Sequence, residues 1–316
     1  MSRGLIPASG RDLSILYRLQ REPCVMRSPV IRRNSKTKQA TAGISDPLMS
    51  VGSPEIDDPA QKRWPQLRWN GTESLRVGDI EFFLSIDPDT YSVPSTTERF
   101  VLLKAKGQID FLARHAPTNV KNIVDIGIYR GGSVVLYQEL FSPKRIVGLD
   151  LTSTREDALD RYVAQRSLGE AIRLYYETDQ ADRELLSTIM SENFGDEPLD
   201  LVVDDASHLY EPTKASFNLL FPRLRPGGVY VIEDWGWAHW DDAYYQSATN
   251  YYADEQTALS KLILELVMVS ASRPTMISEV HLRPAIAHFV RGDAAISPGF
   301  DIASSYLSSG RQLLHD

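Results

Sequence analysis

Between residues 122 and 234 the chain alternates five short β-rich runs with helical stretches: NIVDIGI (122–128), RIVGLDL (145–151), IRLYYET (172–178), LDLVVDD (199–205) and GVYVIED (228–234). The apolar residues in these runs are nearly uninterrupted, which is the pattern of a strand covered on both faces. A parallel neighbour can be reached only through a long crossover, so strands that alternate with helices specify a mostly parallel, doubly wound α/β sheet. Segments 155–168 and 212–224 have the length and pattern of crossover helices, and Gly227 and Gly228 open the last run. A helix over 254–270 then precedes two final runs, 277–282 and 286–291, expected to pair as C-terminal antiparallel strands.

The flanks read differently. From Thr97 to His115 the apolar residues Phe100, Leu103, Ile109 and Leu112 recur at helical spacing and Pro117 ends the run, which predicts a helix leading into the core. VGDIEFFLS (77–85) alternates as a hairpin or edge strand does. Residues 1–45 are Arg- and Ser-rich and acid-poor, the composition of a disordered or misannotated extension. The expected organisation is that extension, a cap or lid segment over 46–95, a core domain over 96–295 and a tail over 296–316.

Charge narrows the partner. Residues 1–43 carry nine Lys/Arg against two acids, leaving 25 Lys/Arg against 40 acids in the body. So acidic a body argues against nucleic acid, whose phosphates need a basic footprint. Cys24 is the sole cysteine, which rules out an intrachain disulfide and a cysteine-based zinc site and suggests a reducing, cytoplasmic setting. No apolar run reaches the roughly eighteen residues of a membrane-crossing helix, so no membrane partner is expected.

Two constellations carry chemistry. VDIGIYRGGS places Asp125, Gly127, Tyr129, Gly131, Gly132 and Ser133 at the tip of the first strand, and Asp150 closes the second, 23 residues after Gly127. Glycines there let a backbone approach a nucleoside cofactor, and an acid at the second strand end suits ribose hydroxyls; a tight strand-to-helix turn is the plainer reading. In the second, Asp204, Asp205 and His208 (DDASH) end the fourth strand, and Glu233 and Asp234 (IEDW) end the fifth. Carboxylates converging at neighbouring strand ends repel one another unless a cation neutralises them, and an oxygen-rich set suits Mg²⁺, Mn²⁺ or Ca²⁺; ordinary strand-end capping is the alternative. His208 is placed either to take a proton or to cap the next helix. Trp235, Trp237, Trp240, Tyr244 and Tyr245 suit a sugar-binding platform or core filling equally. Of the other histidines only His239 stands near the crevice, and Tyr210 with Lys214 matches the YxxxK spacing by chance, since Pro212 intervenes.

With these motifs in this order, the chain resembles the class I S-adenosylmethionine-dependent methyltransferases, in particular the metal-dependent sugar O-methyltransferases of macrolide biosynthesis, and also the cephalosporin-hydroxylase-like family. The resemblance spans about 96–291 and includes TDQAD (178–182) and PGGVYVIEDW; Ala206 stands where that family often has Gly, and WGWAHW has no counterpart in it. It implies a Rossmann-like core and S-adenosyl-L-methionine as cofactor. Asp125, Gly127, Tyr129, Gly131, Gly132, Ser133, Asp150 and Asp204 would serve that cofactor, and Asp179 and Gln180 would lie against the adenine. Asp205, Glu233 and Asp234 would hold Mg²⁺ or Mn²⁺, and His208 would be the general base acting on a sugar-like hydroxyl in natural product biosynthesis. A homo-oligomer is expected on the same ground. The rival readings are a nicotinamide-dependent oxidoreductase on the same fold, against which the missing GxGxxG counts, and a non-catalytic cofactor-binding protein.

Overall fold

The computed structural model describes residues 62–85, 93–241, 243, 245–247, 251–297 and 299–311. The extension expected over 1–45 lies outside the described residues, as do Tyr244 and parts of the cap and tail segments.

The five runs form the strands β5 (Asn122–Ile126), β6 (Arg145–Leu149), β7 (Ile172–Tyr175), β8 (Leu199–Asp204) and β9 (Leu224–Glu233). With β10 (Ile277–Arg283) and β11 (Ile286–Arg291) they build a seven-stranded sheet ordered β7-β6-β5-β8-β9-β11-β10. Every pairing from β7 to β9 is parallel, and β11 runs antiparallel to both β9 and β10. The chain leaves β5 towards β6 on one side and later returns to β8 on the other, so the crevice that binds ligands in such sheets opens at the end of β5.

Alternate residues of these buried strands enter two separate cores. Ile123, Ile146, Leu201, Val203, Val229 and Val231 pack on one face, and Val124, Val147, Val202, Tyr230 and Ile232 on the other. The second face is covered by α4 (Arg183–Phe194), α5 (Tyr210–Leu220) and α6 (Ser260–Ser272). α5 starts at Tyr210 and carries Pro212 in its first turn, where the missing N–H costs no hydrogen bond. The first face is covered by α1 (Lys106–His115), α2 (Gly132–Phe141) and α3 (Asp157–Gln165).

The helix expected over 97–115 is only half helix. Arg99–Leu102 is instead a strand, β4, in a four-stranded sheet with β1 (Leu67–Asn70), β2 (Ser74–Val77) and β3 (Ile80–Leu84), and α1 begins at Lys106. RFVL pairs in parallel with β3, so its β-rich residues bury Phe100 and Leu102 against a sheet. β2 and β3 form the hairpin expected at 77–85, turning at Gly78 and Asp79. The inner face of this small sheet packs on α2 and shares the first core, through Leu75, Val77, Phe82 and Phe100. Among the described residues no helix is long and apolar enough to cross a membrane.

One feature of the first core makes stability depend on acid. His288 on β11 is wholly buried beside Phe111 (ring centroids 4.5 Å apart), and neither ring nitrogen has a hydrogen-bond partner among the described residues. His115 lies against His281, ring centroids 4.1 Å apart and planes tilted by 34°, with Glu279 bonded to His281 and the Arg283 guanidinium over the Phe111 ring. Burial first, then the neighbouring His115 and His281, holds His288 well below the ordinary imidazole range. The folded protein therefore excludes a proton that the unfolded chain binds near pH 6.5, and stability falls as pH drops below that value. His288→Phe is expected to flatten the decline between about pH 7 and pH 5, where each unit contributes up to about 1.4 kcal/mol; urea unfolding at both pH values checks it, and an unchanged slope refutes it.

Candidate active site

Strand parity decides which acids meet. In β8, Leu201 and Val203 face the first core and Val202 the second, so Asp205 follows the first face and Asp204 the second. In β9 the same count sends Val229, Val231 and Glu233 to the first face. Register sets these ends level, because Asp204 lies opposite both Ile126 and Ile232. Asp205 and Glu233 are thus neighbours, and Asp204 is not one of their group. Its carboxylate, 2% exposed, accepts bonds from Ser216 Oγ (2.8 Å), Tyr230 hydroxyl (3.0 Å) and Gln180 Nε2 (3.1 Å). Burial pushes Asp204 up to about 6 against those donors. Asp204, expected at the cofactor, thus has its carboxylate engaged by three interior donors.

A cation missed in the sequence stands between the first-face acids. Lys104 follows β4 and is 2% exposed; its Nζ lies 2.7 Å from Asp205 Oδ2 and 2.7 Å from Glu233 Oε2. Gln108 closes the first turn of α1 by accepting from the Ala105 N–H, and its Nε2 donates to Glu233 Oε2 at 3.2 Å. Burial raises Glu233 to about 8 despite Lys104, whereas for Asp205 the charges of Lys104 and His208 outweigh burial and hold it well below the carboxylate range.

Asp234 and His208 reach the same place by breaking the regular backbone. Asp234 has φ 49° and His208 φ 56°, left-handed values that are strained for these residues and often mark sites. One ligand atom each from Asp205, His208 and Asp234 lies within 4.8 Å of the others. The His208 ring is held at both nitrogens, Nε2 at 3.1 Å from Asp205 Oδ1 and Nδ1 at 3.2 Å from the Tyr252 hydroxyl. Trp237 stacks on Tyr252 (4.0 Å, 16°) and donates from Nε1 to the His208 carbonyl at 2.8 Å. The aromatic stretch after β9 therefore fills a small core with Tyr245 and Tyr252, and that core clamps His208.

The acids fit a divalent cation on two observations. Asp205, Glu233 and Asp234 are three carboxylates against one buried ammonium, which leaves two negative charges to neutralise if all ionise. Glu233 Oε1 and Asp234 Oδ1 are also buried without a hydrogen-bond partner among the described residues, and burial raises Asp234 to about 6.

Beside this site runs the loop after β5. Gly127 (φ 104°) and Gly131 (φ 76°) take conformations that side chains rarely allow, and Gly132 starts α2. Tyr129, itself at φ 44°, donates its N–H to Asp150 Oδ2 at 2.7 Å, and Thr152 N–H donates to Oδ1. Asp150 thus pins the loop, and burial raises it. Ser133 Oγ donates to Asp125 Oδ2 at 2.7 Å, while Asp125 Oδ1 has no partner among the described residues and burial lifts the group to about 7. An orphaned carboxylate oxygen at the end of β5, beside this loop, fits a cofactor ammonium. Asp179 is exposed and caps its own turn by accepting from Ala181 N–H. Gln180 turns inward: its Nε2 serves Asp204 and Ser216, and its Oε1 accepts from Ser207 N–H. Both ends of the amide expected against an adenine are thereby engaged within the protein.

The remaining residues fall outside. His239 bonds Ser260 Oγ at 2.7 Å, and the Tyr210 hydroxyl donates to Glu265 at 2.9 Å, so the YxxxK spacing builds no site. A groove of about 480 Å³ lined by Arg63, Arg114, His115, Arg225 and His281 lies at the other end of β9 and holds none of the site residues.

Part of the chain is similar to known proteins. Residues 124–235 match the family model of a methyltransferase domain. Over 126 residues the chain is 33% identical to the mycinamicin VI 2''-O-methyltransferase of Micromonospora griseorubida and 36% identical to the demethylmacrocin O-methyltransferase of Streptomyces fradiae, each match covering 37% of this chain. The chain matches 28% of the length of either relative. Among solved structures, the MycE methyltransferase from the mycinamycin biosynthetic pathway, in complex with Mg, SAH and mycinamycin VI, aligns with a TM-score of 0.42 at 25% identity, over 60% of this chain and 49% of that one.

Proposed function

We propose that this chain, whose residues 124–235 match a methyltransferase domain, transfers a methyl group from S-adenosylmethionine to a hydroxyl of a small, sugar-like acceptor, with Mg²⁺ or Mn²⁺ at the acidic site and His208 as general base. The observation that carries the reading is the convergence of Asp205 and Asp234 on an imidazole, with Glu233 beside them, at the strand ends next to the Gly127 loop. The sugar-like acceptor is supported by the relatives, which are O-methyltransferases by name, one of them acting at the 2''-oxygen of mycinamicin VI.

His208 has the surroundings of a base. Nε2–H donates to the ionised Asp205 Oδ1 at 3.1 Å, so the lone pair that takes the acceptor proton is on Nδ1, 3.2 Å from the Tyr252 hydroxyl. The Asp205 carboxylate stabilises the imidazolium. Asp205 and Asp234 would hold the cation, and Lys104 and Gln108 fix the Glu233 carboxylate beneath them. A divalent cation, when bound, lowers the pKa of a coordinated hydroxyl and orients its oxygen. Bound S-adenosylmethionine supplies the electrophilic methyl carbon, to which the oxygen bonds as the carbon–sulfur bond breaks and sulfur keeps the electron pair. Asp125, Asp150 and the loop from Gly127 to Ser133 are the groups we assign to hold it.

The test incubates the protein with S-adenosylmethionine, Mg²⁺ and a panel of sugars and glycosylated natural products, read by mass spectrometry. A gain of one CH₂ is expected, falling to background in chelator and returning with Mg²⁺. Product undiminished in chelator removes the metal from the reading; no cofactor binding in calorimetry removes methyl transfer.

A further inference from the structure

We propose that the Lys104 ammonium is a built-in cation that keeps Glu233 out of the metal's coordination sphere, so that the divalent ion rests on Asp205 and Asp234 alone. This rests on the metal-dependent reading above and changes its ligand set.

The geometry is that of a filled gap. The two carboxylate oxygens of Asp205 and Glu233 that face each other both lie 2.7 Å from Nζ, so the ammonium already stands where a bridging ion between them would sit. Glu233 Oε2 also accepts from Gln108 Nε2, and the Glu233 side chain is 1% exposed. Lys104 is anchored from behind, two residues after β4, at a side-chain exposure of 3%. An ion that displaced it would strand a buried ammonium without its partners, which is costly. On the other side of Asp205, Oδ1 bonds His208 Nε2 at 3.1 Å and keeps a second lone pair, Asp234 Oδ1 has no partner among the described residues, and an oxygen of each acid lies in one small triangle with His208. Two carboxylates suffice for Mg²⁺, which keeps its other positions for water and substrate oxygens. His208 then stays off the metal as a base.

Mn²⁺ binding to the full chain, followed by electron paramagnetic resonance and calorimetry without acceptor, tests this. Glu233→Gln is expected to bind Mn²⁺ within about threefold of the unsubstituted protein, whereas Asp234→Asn loses at least about tenfold, the range in which groups at a metal site tell. Lys104→Met is expected to tighten binding at least about tenfold, since it frees Glu233 as a third ligand and removes a competing positive charge. If Lys104→Met does not fold, the contrast between Glu233→Gln and Asp234→Asn decides alone. A loss in Glu233→Gln equal to that in Asp234→Asn, or binding weakened or unchanged in a folded Lys104→Met, overturns the inference and leaves the methyl-transfer reading intact. No Mn²⁺ uptake by the unsubstituted protein overturns both the inference and the metal part of that reading, with S-adenosylmethionine calorimetry on the same samples judging the cofactor separately.

Discussion

Replacing His208 by asparagine is expected to lower kcat for methyl transfer by roughly 10²–10⁴, the usual contribution of a positioned general base, while cofactor affinity stays unchanged. Asparagine suits the test better than alanine because His208 sits at φ 56°, a conformation asparagine tolerates. The amide also keeps a polar group near Tyr252 and Asp205, so the clamp formed by Trp237 on the His208 carbonyl is left in place. A loss confined to kcat, with unaltered melting temperature, assigns the effect to proton removal. Activity retained within about tenfold would mean that proton transfer by this side chain contributes little to the rate.

That clamp explains where the tryptophans belong. A ring that must face an acceptor on one side needs fixing on the others, and Tyr252 and Trp237 do this with one hydroxyl bond, one indole bond and a stacked pair. Left-handed backbone at His208 and Asp234 is maintained because packing and Asp234 N–H bonded to Ala285 O hold the turns against the strain.

The parallel sheet was legible because its strands are buried on both faces and read as short apolar runs, and DDASH and IEDW were legible because strand ends in such a sheet share a crevice. The split between Asp204 and Asp205 is readable too, by counting alternate residues from Leu201 along β8. Lys104 was hidden for a different reason. RFVL has helical spacing with the residues after it, and only pairing with β3 makes it a strand that ends just before Lys104. The approach of Lys104 to Asp205 joins positions 101 residues apart, which no local pattern encodes. Tyr252 is a similar case, lying 44 residues from the histidine it holds.

Gly127→Ala should damage both halves of the site with one methyl group. A Cβ at residue 127 would lie 2.2 Å from the Asp205 carbonyl oxygen and 2.8 Å from its carbon, and φ there is 104°, which a side chain strains to adopt. The backbone has little room to yield, because Gly127 N–H donates to Leu149 O and Asp205 N–H to Ile126 O across the adjoining strands. Overpacking and the unfavourable φ together cost about 2–5 kcal/mol, a fall of roughly 10 °C in Tm for a chain of this size. Because the atom struck belongs to Asp205, the carboxylate held by Lys104 and His208 shifts with it, and Mn²⁺ and S-adenosylmethionine affinities should fall together. Gly169→Ala is the matched control: it is exposed and nothing lies within 4 Å of the added Cβ, so stability should move by no more than about 0.5 kcal/mol. Calorimetric melting and binding on the two variants separate the cases, and equal behaviour would show that the close approach of Gly127 to Asp205 does not couple the cofactor loop to the acidic site.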